Sequence, residues 1–319
     1  MKTRILLIGG AGYIGTAVTE FFLQKKYQVT CLDNFIFDNE YAINSFRNSK
    51  NYKIIKGDLR DEGICEKLIF SHDVIIVLGG LVGDPITKKY PSESKLINSE
   101  GIKKLILICK KKNDGKLIFV STCSNYGLSS TDDLLDENSE LKPLSLYAQQ
   151  KVEIEKFILS LKSKIKISPT ILRFSTAFGL SPRMRFDLTI NQFTKSIYQN
   201  EPLLVFDAET WRPYCHVKDF ALALEKIIDS NNKLTDFEVF NVGGEKNNFT
   251  KKQITELILK QLPHNDNVSY TNKKFDPRNY RVNFSKIEKI LNFKIKYGVE
   301  EGIEEMIKFH KPKKLIVYS

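Results

Sequence analysis

Short apolar runs alternate with amphipathic stretches along the first half of the chain. The apolar runs predict six buried strands, over residues 5–8, 28–32, 52–56, 73–78, 116–120 and 165–172. Between them, hydrophobic residues at helical spacing predict helices over 13–26, 61–70, 92–112 and 146–163. Strands that are apolar without alternation are typical of a parallel sheet covered on both faces. The pattern therefore predicts an α/β fold built on a doubly wound parallel sheet.

Beyond residue 172 the regular alternation breaks down. Helical spacing returns over 183–199, 218–229, 250–261, 285–291 and 299–309, residues 238–241 predict a short strand, and residues 211–217 fit neither period. We therefore expect residues 1–172 to form the sheet domain and residues 173–319 to form mainly a smaller C-terminal lobe, with about 213–242 returning to the sheet domain. The cleft between the two units is the expected ligand site.

Three glycines, Gly9, Gly12 and Gly15, form a G-x-x-G-x-x-G loop between the first strand and the first helix. Such glycines allow a tight turn, close approach to a pyrophosphate and close helix packing. Asp33 ends the second strand, where a carboxylate accepts hydrogen bonds from ribose hydroxyls and repels a 2′-phosphate. The glycine loop lies between a strand and a helix, and an acidic residue ends the next strand, so a purely structural turn is disfavoured. This arrangement predicts a Rossmann domain that binds NAD. Asp58, after the third strand, either reaches the adenine amine or caps the following helix.

Tyr147 and Lys151 are four residues apart and lie on one face of a predicted helix. A nearby ammonium, together with a bound nicotinamidium, favours the phenolate, so a tyrosine in this setting can accept a proton from an alcohol. The spacing also occurs by chance. Thr122, however, supplies a hydroxyl just after the fifth strand, at the sheet edge where open α/β sheets place their chemistry. The three residues therefore form a candidate proton-transfer site.

The composition is that of an ordinary globular protein. The chain has 319 residues, of which 42% are hydrophobic, and its net charge of +11 comes mainly from scattered lysines, so we expect no nucleic-acid partner. No apolar run approaches the roughly 20 residues of a membrane span, and the first residues lack a leader pattern, so we expect no membrane partner and a cytoplasmic location. Five cysteines are scattered without metal-ligand spacing, so neither a metal site nor a disulfide set is expected: Cys31, Cys65, Cys109, Cys123 and Cys215.

Taken together, these motifs resemble the extended short-chain dehydrogenase/reductases of the nucleotide-sugar epimerase/dehydratase type over nearly the whole chain. Further matching segments are 57–61, 121–127, 173–179, 212–219 and 276–281. The resemblance implies NAD as cofactor, a nucleoside-diphosphate sugar as substrate, and a homodimer. It also implies that Tyr147 is the acid/base, that Lys151 is its electrostatic partner and a nicotinamide-ribose ligand, and that Thr122 orients the substrate alcohol.

The same resemblance implies two sets of ligand contacts. The cofactor set lies in the glycine loop, at the strand ends and on the helix with the tyrosine: Gly9, Gly12, Tyr13, Ile14, Gly15, Asp33, Asn34, Asp58, Leu59, Leu78, Gly79, Gly80, Tyr147 and Lys151. The substrate set is Thr122, Thr176, Arg183, Arg185, Arg212 and Arg278. Arg212 and Arg278 match positions that bind the substrate pyrophosphate, for which a planar guanidinium is suited. Surface ion pairs are the alternative for these two arginines.

Departures from the family pattern narrow the expected reaction. The 4,6-dehydratases follow the threonine with Asp-Glu, where this chain has Cys123 and Ser124, so we do not expect water elimination. Cys123 also stands one place before the cysteine of 3,5-epimerases, so we expect it to be a small packed residue. Thr176 replaces the family's usual asparagine, and glycines at 79–80 replace two alanines, leaving extra room beside the cofactor. Residues 181–185 resemble a branch that includes sugar-nucleotide 4-dehydrogenases and reductases of surface-polysaccharide pathways.

We therefore predict an NAD-dependent enzyme that oxidises carbon 4 of a nucleoside-diphosphate sugar, as a 4-epimerase or a 4-dehydrogenase in surface-polysaccharide sugar biosynthesis. The same residues acting in reverse would make a 4-ketoreductase, which the preference for NAD ranks lower. A non-catalytic dinucleotide-binding sensor is the alternative from another class. The sequence leaves the nucleotide base and the sugar open.

Overall fold

The structure is a computed structural model that describes residues 2–129, 134–263, 267–272 and 278–311. Its strands are β1 Arg4–Ile8, β2 Gln28–Asp33, β3 Tyr52–Lys56, β4 Val74–Val77, β5 Lys116–Thr122, β6 Leu134–Leu135, β7 Ser168–Phe174, β8 Thr176–Phe178, β9 Leu203–Phe206, β10 Trp211–His216, β11 Glu238–Val242, β12 Asn248–Thr250, β13 Val268–Thr271 and β14 Arg281–Val282. Its helices are α1 Tyr13–Gln24, α2 Glu62–Phe70, α3 Asp84–Lys89, α4 Pro91–Ser94, α5 Ile102–Lys110, α6 Leu146–Ser160, α7 Thr189–Tyr198, α8 Val217–Asp229, α9 Lys251–Gln261, α10 Ser285–Leu291 and α11 Val299–His310.

A seven-stranded parallel sheet in the order β3-β2-β1-β4-β5-β7-β11 forms the centre of the molecule. Its strands present apolar side chains to both faces. On one face Ile5 and Leu7 pack under α1 and α8, and on the other Leu6 and Ile8 pack under α2, α5 and α6. Burial on both faces explains why the central strands β1 and β4 are continuously apolar, whereas the edge strand β3 is only half-buried and carries two lysines. The predicted doubly wound Rossmann sheet is confirmed.

The order of the sheet reverses between β1 and β4. At such a switch point the loops after neighbouring strands diverge to opposite faces, which opens a crevice at the carboxyl edge of the sheet. The C-terminal lobe lies over this edge. It contains the three-stranded sheet β12-β10-β8 and the pair β13-β9, with α7, α9 and α11 packed around a separate apolar cluster that includes Phe178, Ile254 and Ile303.

Two predicted elements of the C-terminal lobe are wrong. The helix expected over 183–199 begins only at Thr189, because residues 183–188 run in irregular conformation along the cleft. The segment 211–217, for which no regular element was expected, forms strand β10. Its polar side chains do not show the apolar pattern of a buried strand. The segment becomes a strand because it pairs with β8 and β12, which are distant in sequence. Tertiary contacts here override the local pattern.

The helix predicted over 92–112 is interrupted. Residues 95–101 form a π-helical segment between α4 and α5. This wider turn places Asn98 against the loop after β4, where its side-chain amide donates to the carbonyl of Leu81 at 2.9 Å and accepts from the amide of Leu81 at 2.8 Å. The segment therefore holds the loop that borders the cleft. Within the described ranges, no helix is long and apolar enough to cross a membrane.

Candidate active site

A cleft of about 1060 Å³ lies between the carboxyl edge of the central sheet and the C-terminal lobe. Every site residue predicted from the sequence lines it: Gly9, Gly12, Tyr13, Ile14, Gly15, Asp33, Asn34, Asp58, Leu59, Leu78, Gly79, Gly80, Thr122, Tyr147, Lys151, Thr176, Arg183, Arg185, Arg212 and Arg278. Residues that are far apart in the sequence therefore share one cavity. Their individual roles stay predictions.

The glycine loop and the loop after β4 touch each other at one end of the cleft. Gly9 has a φ of +80°, and a side chain there would meet the Cα of Gly79 at 2.4 Å. A side chain at Gly15 would meet the carbonyl oxygen of Gly10 at 2.6 Å. Helix α1 then begins after Gly12, which supplies no side-chain cap. The positive end of α1 is therefore exposed toward the cleft, as a pyrophosphate site requires.

The carboxylate of Asp33 closes the glycine loop from the second strand. It accepts hydrogen bonds from the amides of Ala11 at 3.0 Å and Phe35 at 2.9 Å. Desolvation nevertheless raises the pKa of Asp33 above its ordinary value. The two amides hold the carboxylate in one orientation at the end of β2, with its remaining lone pairs available to a ribose diol.

Asp58 belongs to a small charged cluster beside Asp33. Arg60 donates to both of its oxygens, at 2.8 and 2.9 Å, and Asn34 donates to one at 3.0 Å. The guanidinium of Arg60 lowers the pKa of Asp58 to about 2. The side chain of Asp61, not that of Asp58, caps α2 by accepting from the amide of Ile64. The alternative role of Asp58 as the cap is therefore excluded, and its predicted contact with adenine stays a prediction.

Tyr147 and Lys151 share one face of α6, and the ammonium of Lys151 lies 5.8 Å from the centre of the Tyr147 ring. The ammonium donates to the carbonyl of Val120 at 2.7 Å, and burial lowers its pKa to about 8. Desolvation raises the pKa of Tyr147, although the charges of Arg185 and Arg278 oppose this shift. The ammonium of Lys151 alone therefore does not offset the desolvation of Tyr147. The positive charge of a bound nicotinamide ring is also needed to favour the phenolate, as the sequence analysis expects.

Thr122 ends β5 beside these residues. Its hydroxyl accepts from the amide of Ser124 at 3.1 Å, which orients the side chain at the strand terminus. The next residue, Cys123, is buried, donates from Sγ to the carbonyl of Arg173 at 3.2 Å, and has its pKa raised to about 12 by desolvation. Cys123 is therefore a packed thiol, as expected from the sequence.

A buried ion pair lies on α6 one turn beyond Lys151. Arg173 donates to Glu155 from Nε at 3.1 and 3.2 Å and from a terminal nitrogen at 2.8 Å. Ser121 and Asn125 also donate to the same carboxylate. Arg173 further donates to the hydroxyl of Tyr126 at 3.0 Å. This network connects α6 to the ends of β5 and β7. It therefore fixes the helix that carries Tyr147 and Lys151.

The opposite wall of the cleft carries the predicted pyrophosphate ligands. Arg212, on β10, is buried, lies 5.2 Å from the Tyr280 ring centre, and donates to the carbonyl of Arg278. Arg278 in turn forms an ion pair with Asp84 of α3 at 2.9 Å, across the mouth of the cleft. Two arginines from separate segments are thus brought together, although residues 276–277 of the matching segment lie outside the described residues.

The structure also reveals residues that the sequence analysis missed. Asp84 faces Arg278, and Phe37 borders the opposite end of the cleft, beside Arg183. Asp84 opens a helix of only six residues, and Phe37 lies in an irregular loop after β2. Neither position carries a periodic signal; only the G-D-P sequence at 83–85, typical of a turn that starts a helix, could have drawn attention to Asp84. Both depend on how two loops fold back over the cleft.

The model of the NAD dependent epimerase/dehydratase family matches residues 5–243. The chain belongs to this family. Among similar proteins is the UDP-glucuronate 4-epimerase of Thermodesulfobacterium geofontis. It is 26% identical over 315 residues, which cover 96% of this chain and 95% of that protein.

Solved structures show the same fold as this epimerase/dehydratase. The UDP-glucuronic acid 4-epimerase from Bacillus cereus, in complex with UDP-glucuronic acid and NAD, superposes with a TM-score of 0.86 at 23% identity, covering 96% of this chain and 98% of that one. The dTDP-glucose 4,6-dehydratase from Bacillus anthracis, in complex with NAD, gives 0.83 at 24% identity, covering 97% and 96%.

The cleft of this epimerase/dehydratase fits NAD, which is the cofactor of the family. The close approach of Gly9 and Gly79 leaves both backbones bare beside the start of α1, as a pyrophosphate site requires, and Asp33 lines the cleft at the end of β2, where the sequence predicts a ribose contact. The predicted NAD-dependent enzyme of nucleotide-sugar chemistry is confirmed by the family. Among residues 2–129, 134–263, 267–272 and 278–311, no group of acidic, cysteine and histidine side chains is arranged to hold a metal ion.

Proposed function

We propose that this enzyme removes a hydride from carbon 4 of a nucleoside-diphosphate sugar and returns it to the opposite face of the same carbon, as a 4-epimerase. The convergence of Thr122, Tyr147 and Lys151 beside the cofactor wall at Gly79 carries this proposal. Arg212 and Arg278 on the opposite wall supply the charge that a diphosphate needs. A 4-dehydrogenase, in which the ketone leaves, is the second candidate.

The residues divide the chemical step among them. The Thr122 hydroxyl holds the sugar hydroxyl, and the Tyr147 phenolate takes its proton as the hydride leaves carbon 4. Lys151 stabilises the phenolate electrostatically from a position set by its hydrogen bond to the Val120 carbonyl. Bound NAD supplies the hydride acceptor and the positive charge of its nicotinamide ring. When the hydride returns, Tyr147 donates the proton back to the oxygen.

The surroundings of Thr122 favour this reaction over elimination. A 4,6-dehydratase needs an acid and a base next to the threonine, and the corresponding positions hold the buried thiol of Cys123 and the hydroxyl of Ser124. The thiol pKa of about 12 keeps Cys123 protonated at neutral pH.

Substitution of Tyr147 by phenylalanine tests the proposal. Purified enzyme is incubated with UDP-glucuronate, UDP-glucose and GDP- and dTDP-sugars, and both NADH absorbance and product stereochemistry are recorded. We expect inversion at carbon 4 of one substrate, and a loss of about a hundredfold or more in turnover for Tyr147→Phe with ligand binding retained. Near-full activity of Tyr147→Phe on that substrate would show that Tyr147 is not the acid/base.

The same experiment separates the alternatives. Stoichiometric NADH with release of a ketone identifies a 4-dehydrogenase, and consumption of added NADH with a 4-keto sugar nucleotide identifies a ketoreductase. Bound NAD without turnover of any sugar nucleotide would support a dinucleotide sensor, which the joint presence of Thr122, Tyr147 and Lys151 in one cleft disfavours.

We further propose that the enzyme acts in the cytoplasm, in the synthesis of sugars for surface polysaccharides, as a homodimer. The exposed apolar side chains of Leu107 on α5 and Leu159 on α6 support dimerisation through these two helices. Light scattering after size exclusion would give the mass in solution. Leu107→Glu together with Leu159→Glu should then yield a monomer, and an unchanged dimer would exclude this surface.

A further inference from the structure

A segment of the C-terminal lobe is bound to the beginning of α1. This strap, residues 180–187, crosses from the lobe to the cofactor end of the cleft. The Ser181 hydroxyl donates to the carbonyl of Tyr13 at 2.6 Å and lies 2.8 Å from the hydroxyl of Thr16. Just before the strap, Gly179 accepts a hydrogen bond from the hydroxyl of Tyr13 at 2.6 Å. The strap is therefore held by several hydrogen bonds against the first turn of the helix whose amino end faces the cofactor site.

Arg183 extends from the strap toward the adenylate end of the cleft. Its amide lies 3.4 Å from the Thr16 hydroxyl, and its guanidinium carbon lies 5.3 Å from the centre of the Phe37 ring. Phe37 belongs to the loop that follows Asp33 and is 44% exposed. Arg183 is also within electrostatic range of the Asp33 carboxylate, which stands at the ribose position. The side chain thus bridges the strap and the loop after β2.

The guanidinium of Arg183 is available to an anion. In the portion of the chain that the structure describes, no carboxylate lies within ion-pair distance of it. An arginine stacked on an aromatic ring keeps the N–H groups of its edge free for phosphate or hydroxyl oxygens. The groups that face it are the carboxylates of Asp33 and Asp187, the guanidinium of Arg185 and the phenol of Tyr41.

Arg185 on the same strap has different surroundings. It donates to both oxygens of Asp187, at 3.0 and 2.5 Å, and its guanidinium lies near Gly83, in the loop on the Tyr147 side of the cleft. Arg185 also acts electrostatically on Tyr147, whereas Arg183 acts on Asp33. The two neighbouring arginines therefore differ in their partners, because Arg183 lies over the Phe37 ring and Arg185 is paired with Asp187 near Gly83, although the sequence predicts both as substrate ligands.

We propose that Arg183 is a cofactor-binding residue, which holds the adenylate half of NAD against the first turn of α1 and keeps NAD bound between turnovers. The inference rests on NAD binding and deepens the proposed function. An enzyme that retains its cofactor must return the hydride to the sugar before the next cycle. Retention therefore favours 4-epimerisation over net oxidation.

Release of NAD from the purified holoenzyme tests this assignment without any sugar nucleotide. Bound NAD is quantified after denaturation, and its release is followed by adding an enzyme that destroys free NAD. We expect near-stoichiometric NAD in the unmodified protein, and release at least tenfold faster from Arg183→Ala. Arg183→Lys keeps the charge but not the planar guanidinium over the Phe37 ring, so its release rate should be intermediate.

Arg185→Ala is the matched control, because it removes an equal charge from the same strap. We expect it to release NAD at the unmodified rate while weakening the sugar nucleotide. Thermal unfolding of the NAD-free proteins establishes that each variant is folded. If Arg183→Ala does not fold, Arg183→Gln is used in its place. The assignment is overturned if Arg183→Ala releases NAD at the unmodified rate, or if the unmodified protein exchanges NAD freely. Absence of epimerisation with slow NAD release would instead contradict the proposed function alone.

Discussion

The buried Glu155–Arg173 pair permits a quantitative test of how the site is supported. Glu155 is 2% exposed, and its carboxylate accepts from Arg173, Ser121 and Asn125. Glu155→Ala removes the acceptor but leaves the guanidinium of Arg173, which is 4% exposed, in the protein interior. The donors of Ser121 and Asn125 lose the same partner. The substitution therefore leaves an unpaired charge and unsatisfied polar groups.

The expected cost follows from that burial. Breaking one partner of a buried ion pair typically destabilises a protein by about 3–5 kcal/mol, because the remaining charge stays desolvated. This is a large part of the roughly 5–15 kcal/mol that stabilises a folded domain. Replacing both partners by apolar residues of similar volume, as in Glu155→Leu with Arg173→Met, is expected to cost much less than the single substitution.

Urea unfolding of the NAD-free proteins measures these free energies. The comparison consists of Glu155→Ala, the single variants Glu155→Leu and Arg173→Met, and the double variant that combines the last two. An unchanged m-value indicates that the denatured states are similar. A loss below about 1 kcal/mol in Glu155→Ala, the value typical of an exposed pair, would refute the reasoning. A double variant as unstable as the worse single variant would also contradict it.

Three further predictions concern ligands and pH. Asp33→Ala should reduce a preference for NAD over NADP that we expect to be at least tenfold, about 1.4 kcal/mol, in calorimetric titrations; equal affinities in the unmodified protein would contradict the role of Asp33. Arg212→Ala should weaken sugar-nucleotide binding by about 2–4 kcal/mol without loss of NAD, and the reverse pattern would exclude a substrate role. Burial lowers the pKa of Lys151 from 10.5 to about 8, so the unfolded chain binds more protons between these values and stability from this group rises with pH. The unfolding free energy of the NAD-free enzyme should rise by about 2 kcal/mol more than that of Lys151→Met between pH 7.5 and 9.5. If the two proteins change in parallel with pH, Lys151 keeps its ordinary pKa and the prediction is wrong.

The sequence predicted those parts of the molecule that local patterns encode. The buried strands are continuously apolar, and the glycine loop, Asp33 and the Tyr147–Lys151 spacing are short-range motifs that need no knowledge of distant segments. The fold class, the family and the cofactor are accordingly confirmed. The predicted residues that follow the central strands share one cleft because parallel strands end at a common edge, whereas the predicted arginines reach the same cleft from the C-terminal lobe.

The C-terminal lobe was harder to predict because its elements depend on distant partners. Strand β10 contains Pro213 and buries Arg212 and His216, so its sequence lacks the apolar pattern of a strand. It is a strand because β8 and β12 pair with it. Similarly, no local pattern distinguishes Arg183 from Arg185; the path of the strap places Arg183 over the Phe37 ring, whereas Arg185 pairs with Asp187.

The late return of the chain to the central sheet affects its synthesis. Strand β11 pairs with β7 only after the segment from β8 to α8 has been made, so a nascent chain presents β7 as an unpaired edge throughout that interval. Its buried side chains make such an edge prone to pairing with other chains. A fragment that stopped at residue 172 would end inside β7 and could never acquire β11. Translation must therefore pass residue 242 before this edge is protected from aggregation.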